Sequence, residues 1–449
     1  SVEVLRGRVQ AILDRHRVPG VGLAILSPDG GVWTGGAGKA DVERGRAVDG
    51  DTMFRVGSIS KTATALAALR LVEEGRLSLD ARLAALEPEV AFANPWEAEQ
   101  PITLAHLLEH TAGWDDMHFN EMYDVTEKHL PLVEVLALNP RSRTSRFRPG
   151  TRTSYSNPGF GAAGFVVEKI AGRPFEDAVQ ALVLDPLGMT GASFRKTDAV
   201  RERLAVGYAG GGQRAPELDI HHRPAGSLYA SPRQMARLVW TLLDRGRLDG
   251  REVFAAASID RMERTGTLDC EGLATNYGLG NYGALPAGDL GLVARGHDGG
   301  IDGFLSDYRY AREVNAGWVI LINESSLAAF QAMKEIEGEI VRFLLSGKKR
   351  PPPAAPSPPP TEEELRAVAG YYRNVTPRNE LFAFADHLLG GGFLAWRDGS
   401  LHFRPMLGGW KKLSPMGGGR FRFEDQGGAL ILARREADGR RTLLAGPIG

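Results

Sequence analysis

Apolar and polar positions along the chain follow two periods, and the points where one gives way to the other outline its elements. The opening stretch SVEVLRGRVQAILDRHRVPG spaces its apolar residues about a helical turn apart with charges between them, which predicts an amphipathic helix. GVGLAILSPDGGVWTGGAG then reads as two apolar strands joined by a Pro-Asp-Gly-Gly turn, a β-hairpin. Further on, GFLSDYRYAREVNAGWVILINES again reads as strand, turn, strand, and SLAAFQAMKEIEGEIVRFLL as a long helix. The first and last of these segments are expected to share one antiparallel sheet. Between them TLAHLLEHTAG, GFGAAGFVVEKIAG and SPRQMARLVWTLLDRG read as helices separated by glycine and proline loops. The expected fold class is α+β, an antiparallel sheet with a helical insertion.

The pattern breaks at residues 348–364, within GKKRPPPAAPSPPPTEEE, whose prolines favour an extended spacer. Residues 1–347 are expected to form one domain and 365–449 a second. The second has a different texture: FLAWRDGSLHFRP and GRFRFEDQGGALILARREADGRRTLLAG are short alternating strands punctuated by Asp-Gly and Gly-Gly turns. A small antiparallel β-meander or barrel is expected there.

Composition narrows the function classes. A net charge of −1 supplies no basic field, so no nucleic-acid partner is expected. The single cysteine, Cys270, rules out an internal disulfide and a Cys-based zinc site. No apolar run approaches the ~20 residues of a membrane-spanning helix. The chain begins at Ser1 with an amphipathic helix rather than a signal peptide, and an upstream segment is expected to have been removed.

Candidate chemistry begins at FRVGSISKTATALAALRL, where Ser58 stands three residues before Lys61. Ser-x-x-Lys recurs at Ser193/Lys196 and Ser346/Lys349, but only Ser58 opens a long apolar helix. At a helix start a serine lies in the positive end of the dipole, and a lysine at i+3 shares its face. Burial in so apolar a helix would lower the Lys61 pKa towards that of a useful base. The plainer alternative is that Ser58 caps the helix and Lys61 is solvated. A second candidate is Tyr155-Ser156-Asn157, in a loop before a helix; Tyr-x-Asn recurs at Tyr372/Asn374. A tyrosine beside an ammonium would have a lowered pKa and relay protons, and an asparagine two residues on could grip an amide; a loop tyrosine satisfied by backbone is the alternative. The third is His297-Asp298-Gly299, directly before the apolar strand of the last hairpin, where glycines would let a substrate approach the strand edge. His106 and His110, four residues apart, are read as core or capping histidines rather than metal ligands, and no metal site is expected. His221-His222 either lines a cleft or is exposed, and Trp114 belongs to a pocket rim or to the core.

Ser-x-x-Lys, Tyr-x-Asn and His-x-Gly in this order resemble the serine β-lactamase and penicillin-binding-protein superfamily. More narrowly the chain is similar to its class C β-lactamase-like branch, peptidase family S12, over roughly residues 4 to 345; ITLAHLLEHTAGW, RPAGSLYASPRQMARLV and YGLGNY add to the likeness. The resemblance implies a β-lactamase/DD-peptidase-like α/β sandwich that works without a cofactor through an acyl-enzyme on Ser58. Lys61 and Tyr155 would move the proton, and Asn157 would orient Lys61 and the substrate amide. His297 and Gly299 would border the substrate, and the N–H groups of Ser58 and Gly300 would form the oxyanion hole. His297 stands where true β-lactamases carry a lysine, so a substrate carboxylate would be held less firmly. The resemblance therefore favours a DD-peptidase or D-amino-acid-specific peptidase, with a carboxylesterase or weak β-lactamase, and a non-catalytic peptidoglycan-binding protein, as the alternatives. It also favours a periplasmic or secreted location and a small-molecule or peptide substrate, and leaves oligomerisation open. Selectivity is expected in loops 115–150 and 208–225, and the tail resembles the β-barrel accessory domains of some members.

Overall fold

The computed structural model describes all residues except 127–128, 269–276, 288–291, 347–360, 418–419, 424–429, 436–440 and 446–449. Cys270 and most of the expected proline-rich spacer lie outside the described residues. The main sheet is antiparallel throughout and is built from both ends of the first unit. Its strands are β1 (Gly20–Leu26), β2 (Val32–Asp41), β3 (Arg46–Ala47), β4 (Tyr282–Ala287), β5 (Leu292–Ile301), β6 (Phe304–Ala311) and β7 (Ala316–Ile322). Their spatial order is β4-β5-β6-β7-β1-β2-β3, so the first strand pairs with the last, Val21 opposite Ile322.

Strand periodicity explains why this sheet lies inside. In β1, Val21, Leu23 and Ile25 point to one face and Ala24 and Leu26 to the other; in β7, Trp318 and Ile320 alternate in the same way with Val319 and Leu321. With both faces apolar, the sheet must be covered twice. One face takes the amphipathic helix α1 (Val2–His16), through Leu5, Val9 and Ile12, and the long helix α5 (Leu327–Leu344), through Met333, Ile336 and Ile340. The other takes the helical insertion, including α2 (Ser60–Glu73), α3 (Asn157–Ala171) and α4 (Pro232–Leu243). Helix α2 is buried along almost its whole length, which explains its lack of a polar stripe.

The C-terminal strands form a second antiparallel sheet in sequence order: β8 (Gly370–Tyr372), β9 (Gly392–Arg397), β10 (Ser400–Pro405), β11 (Lys411–Gly417), β12 (Arg420–Phe423), β13 (Leu430–Arg435) and β14 (Arg441–Ala445). Leu394, Leu401, Leu413 and Phe421 make its core, joined by Leu365 from the helix Glu362–Ala367. That helix begins inside the stretch expected as spacer, because Thr361 and Glu364 form a capping box ahead of it.

Candidate active site

Ser58 lies in a single 3₁₀ turn, Gly57–Ile59, that leads into α2. It is not the helix cap, because α2 has Ile59 at that position and no side-chain cap. The turn is locked by Ser60, whose Oγ donates to Gly57 O at 2.7 Å and accepts from Leu228 N at 2.9 Å. Freed from capping, Ser58 Oγ accepts a hydrogen bond from the Tyr155 hydroxyl at 2.7 Å and stands 3.0 Å from Lys61 Nζ. Lys61 is completely buried. Its Nζ also meets Asn157 Oδ1 at 2.7 Å and Ala225 O at 2.8 Å.

Burial holds the Lys61 pKa well below that of an ordinary lysine, although Asp116 and Asp298 pull the other way. Tyr155 departs from the sequence expectation. Its ring is stacked on His110 at 4.2 Å between centroids, and burial raises its pKa despite the cations nearby. The resting group is therefore a phenol, and the lowered pKa expected for it is corrected.

The third motif lies alongside the serine. A Cβ built on Gly299 would sit 2.2 Å from Val56 O and 3.0 Å from Ser58 N, so only glycine lets β5 come this close to the turn. Gly57 has φ near 52°, and a Cβ there would lie 3.0 Å from Gly300 N. Strand β4 pairs with β5 only as far as Gly296, so among the described residues the β5 edge from His297 onward has no strand partner on that side. His297 is buried and both its ring nitrogens are engaged, Nε2 with Tyr277 OH at 2.9 Å and Nδ1 with Asp298 O at 2.5 Å. Burial pushes its pKa down to about 4, so it is neutral at pH 7.

Two functional candidates were missed by sequence reasoning. Asp116 Oδ1 accepts from Asn157 Nδ2 at 2.8 Å and from Asn157 N at 3.1 Å, fixing the amide so that its oxygen faces Lys61. Asp116 Oδ2 accepts from Arg378 Nε at 2.6 Å, and that guanidinium lies 4.5 Å from the centre of the Tyr155 ring. Arg378 comes from the C-terminal segment, between β8 and β9. The only sequence hints were that Asp116 falls in a loop expected to set selectivity and that Arg378 falls in the tail stretch resembling an accessory domain. The cleft over Ser58 has a volume of about 350 Å³ and is lined by Tyr155, Tyr282, His297, Gly299, Gly300 and Arg378, among others.

The remaining candidates sit elsewhere. Ser193 Oγ accepts from Arg195 N and Lys196 pairs with Glu217, so this Ser-x-x-Lys is a surface turn. Tyr372 donates to Val368 O within the second core, and Asn374 accepts from Thr376 N. His106 caps its helix by accepting from Thr103 N, and His110 lies under Tyr155. His221 and His222 are buried rather than exposed, and Trp114 is fully buried in the core against Phe92. Among the described residues no group of His, Cys, Asp and Glu is arranged to hold a metal, and no helix is long and apolar enough to cross a membrane.

Comparison with known proteins places the chain. The family described as "Beta-lactamase" matches residues 5–340. "Penicillin-binding protein 4" of Amycolatopsis lactamdurans is 29% identical over 346 residues, covering 74% of this chain and 88% of that one. "Esterase EstB" of Burkholderia gladioli is 36% identical over 216 residues, 45% of this chain and 53% of that one. Among solved structures, the octameric penicillin-binding protein homologue from Pyrococcus abyssi superposes with a TM-score of 0.64 at 23% identity, covering 99% of this chain and 95% of that one.

Proposed function

The chain belongs to the beta-lactamase family and is a serine hydrolase of that fold, and we propose that it forms an acyl-enzyme on Ser58 and acts as a DD-peptidase or D-amino-acid-specific peptidase. The observation that carries this reading is Ser58 Oγ held between Lys61 Nζ at 3.0 Å and the Tyr155 hydroxyl at 2.7 Å. Lys61 is the general base: the Oγ proton passes to its neutral amine as Oγ attacks the carbonyl carbon. The N–H groups of Ser58 and Gly300 receive the oxyanion, a service worth several kcal/mol in the transition state, roughly 3 to 4 per donor in a well-studied protease. As the intermediate collapses, the Tyr155 phenol gives its proton to the leaving group and is refilled from the Lys61 ammonium. Water then repeats the sequence, releasing the acid and restoring Ser58. The unpaired β5 edge beside Ser58 suits an extended peptide adding as a further strand.

A carboxylesterase is the second reading, favoured by the neutral, doubly bonded His297 in place of a cation and by the likeness to EstB. Turnover of p-nitrophenyl acyl esters against D-alanyl peptides separates the two. Intact-protein mass spectrometry tests the shared premise. After p-nitrophenyl acetate or a penicillin, wild type is expected to gain the acyl mass and Ser58→Ala to gain none. Equal labelling of both would remove Ser58 from the chemistry.

A further inference from the structure

We propose that Arg378, delivered by the C-terminal segment, is the group that recognises a carboxylate on the leaving-group side of the substrate. This rests on the reading of Ser58 as nucleophile and Tyr155 as proton donor to the leaving group, and it defines the substrate class of that site.

Four observations converge on it. Arg378 is the one Lys or Arg side chain among the residues lining the cleft over Ser58 and the adjoining space past Gly300. Its Nε is committed to Asp116, while neither Nη has a hydrogen-bond partner among the described residues. A guanidinium held by one edge and open at the other offers two parallel donors to a carboxylate. The side chain is 61% exposed, so a ligand in the cleft can reach it. Finally, it stacks against the Tyr155 ring at 4.5 Å, beside the phenol that would protonate the leaving group.

The backbone fixes Arg378 in place. Arg378 O accepts from Asp116 N at 3.2 Å, and Asn379 Nδ2 donates to Met117 O at 2.8 Å. On either side, Arg146 Nη1 donates to Pro377 O at 2.8 Å and Glu380 N to Asp115 Oδ1 at 2.8 Å. Asp298 also lines the cleft and its carboxylate repels an anion, which leaves Arg378 as the anion's partner. His297 cannot share the task, since its two nitrogens are already bonded.

The test compares two esters that differ only in charge, benzoylglycyl-D-lactate and its primary amide. In both, the ester C–O bond breaks, the benzoylglycyl group goes to Ser58 and the lactyl oxygen leaves with a proton. For wild type, kcat/KM is expected to be about ten- to a hundredfold higher on the acid. Arg378→Gln should bring that ratio close to one, mainly by raising KM for the acid; Arg378→Lys should keep part of the preference. A wild-type ratio near one, or an Arg378→Gln loss that is equal on both esters, overturns the proposal and leaves Arg378 a structural ion pair. Acylation of wild type by p-nitrophenyl acetate reports separately on Ser58, and its failure overturns the underlying reading as well. If Arg378→Gln does not fold, wild-type acylation by p-nitrophenyl acetate should be slowed by D-lactate and not by D-lactamide; equal effects of the two would again overturn the proposal.

Discussion

Three oxygens surround Lys61 Nζ, and their chemistry decides its protonation state. Asn157 Oδ1 and Ala225 O can only accept, so a neutral amine spends both N–H groups on them and turns its lone pair to Ser58. With its pKa lowered by burial, the active neutral form should persist to well below the ordinary lysine range. kcat/KM on a neutral ester should therefore fall as pH decreases through that lowered value; an ascending limb at the ordinary lysine pKa of about 10.4 would contradict a base kept neutral by burial. His297 gives a second check. Because its pKa is about 4, the acid-to-amide ratio of kcat/KM should stay flat between about pH 5.5 and 7.5, the Lys61 limb cancelling in the ratio. A ratio that falls as pH rises through that window would make a charged His297 the carboxylate partner. Ser58 and Lys61 could be picked out from the sequence because their i, i+3 spacing fixes their mutual reach, whereas Asn157, 96 residues from Lys61, was marked only by Tyr-x-Asn. The direction of the Tyr155 shift could not be read, since it depends on burial of the ring by distant segments, such as the one that brings His110 against it.

Between elements, the closest approach at the site is strand β5 against the 3₁₀ turn. Gly299→Ala would place a methyl group 2.2 Å from Val56 O, in contact with backbone rather than a flexible side chain. The strand must then move away from the serine, with a loss of stability of about 1 to 3 kcal/mol. Thermal unfolding and the rate of acylation should both drop; an unchanged acylation rate would mean that β5 does not set the oxyanion geometry. The β1–β2 and β6–β7 hairpins were legible because runs of apolar strand residues and their turns are local signals, whereas β5 itself was read only as the residues ahead of the last hairpin. The 3₁₀ turn was not legible, since what holds it, the Ser60 bond to Leu228, spans 168 residues. The capping box at Thr361 was local, yet the neighbouring prolines outweighed it in the reading of residues 348–364.

At the scale of the whole molecule, the loop around Asp116 receives residues 377–380 from the segment between β8 and β9. Both sheets were legible as separate patterns, but nothing in the sequence marks an arginine 262 residues from its carboxylate. A double-mutant cycle on Asp116→Ala and Arg378→Ala, followed by denaturant unfolding, should return an interaction energy of about 1 kcal/mol. Additive effects would mean that the pair does not couple the two parts. The pairing of β1 with β7 bears on how the molecule is made. Val21 and Ile322 lie roughly 300 residues apart, so at ribosomal speeds of about 5 to 20 residues per second the first hairpin waits roughly 15 to 60 s for its inner neighbour. Through that interval one apolar edge of the nascent chain stands open, which makes the growing polypeptide, rather than the finished enzyme, the form most exposed to aggregation and most in need of a chaperone.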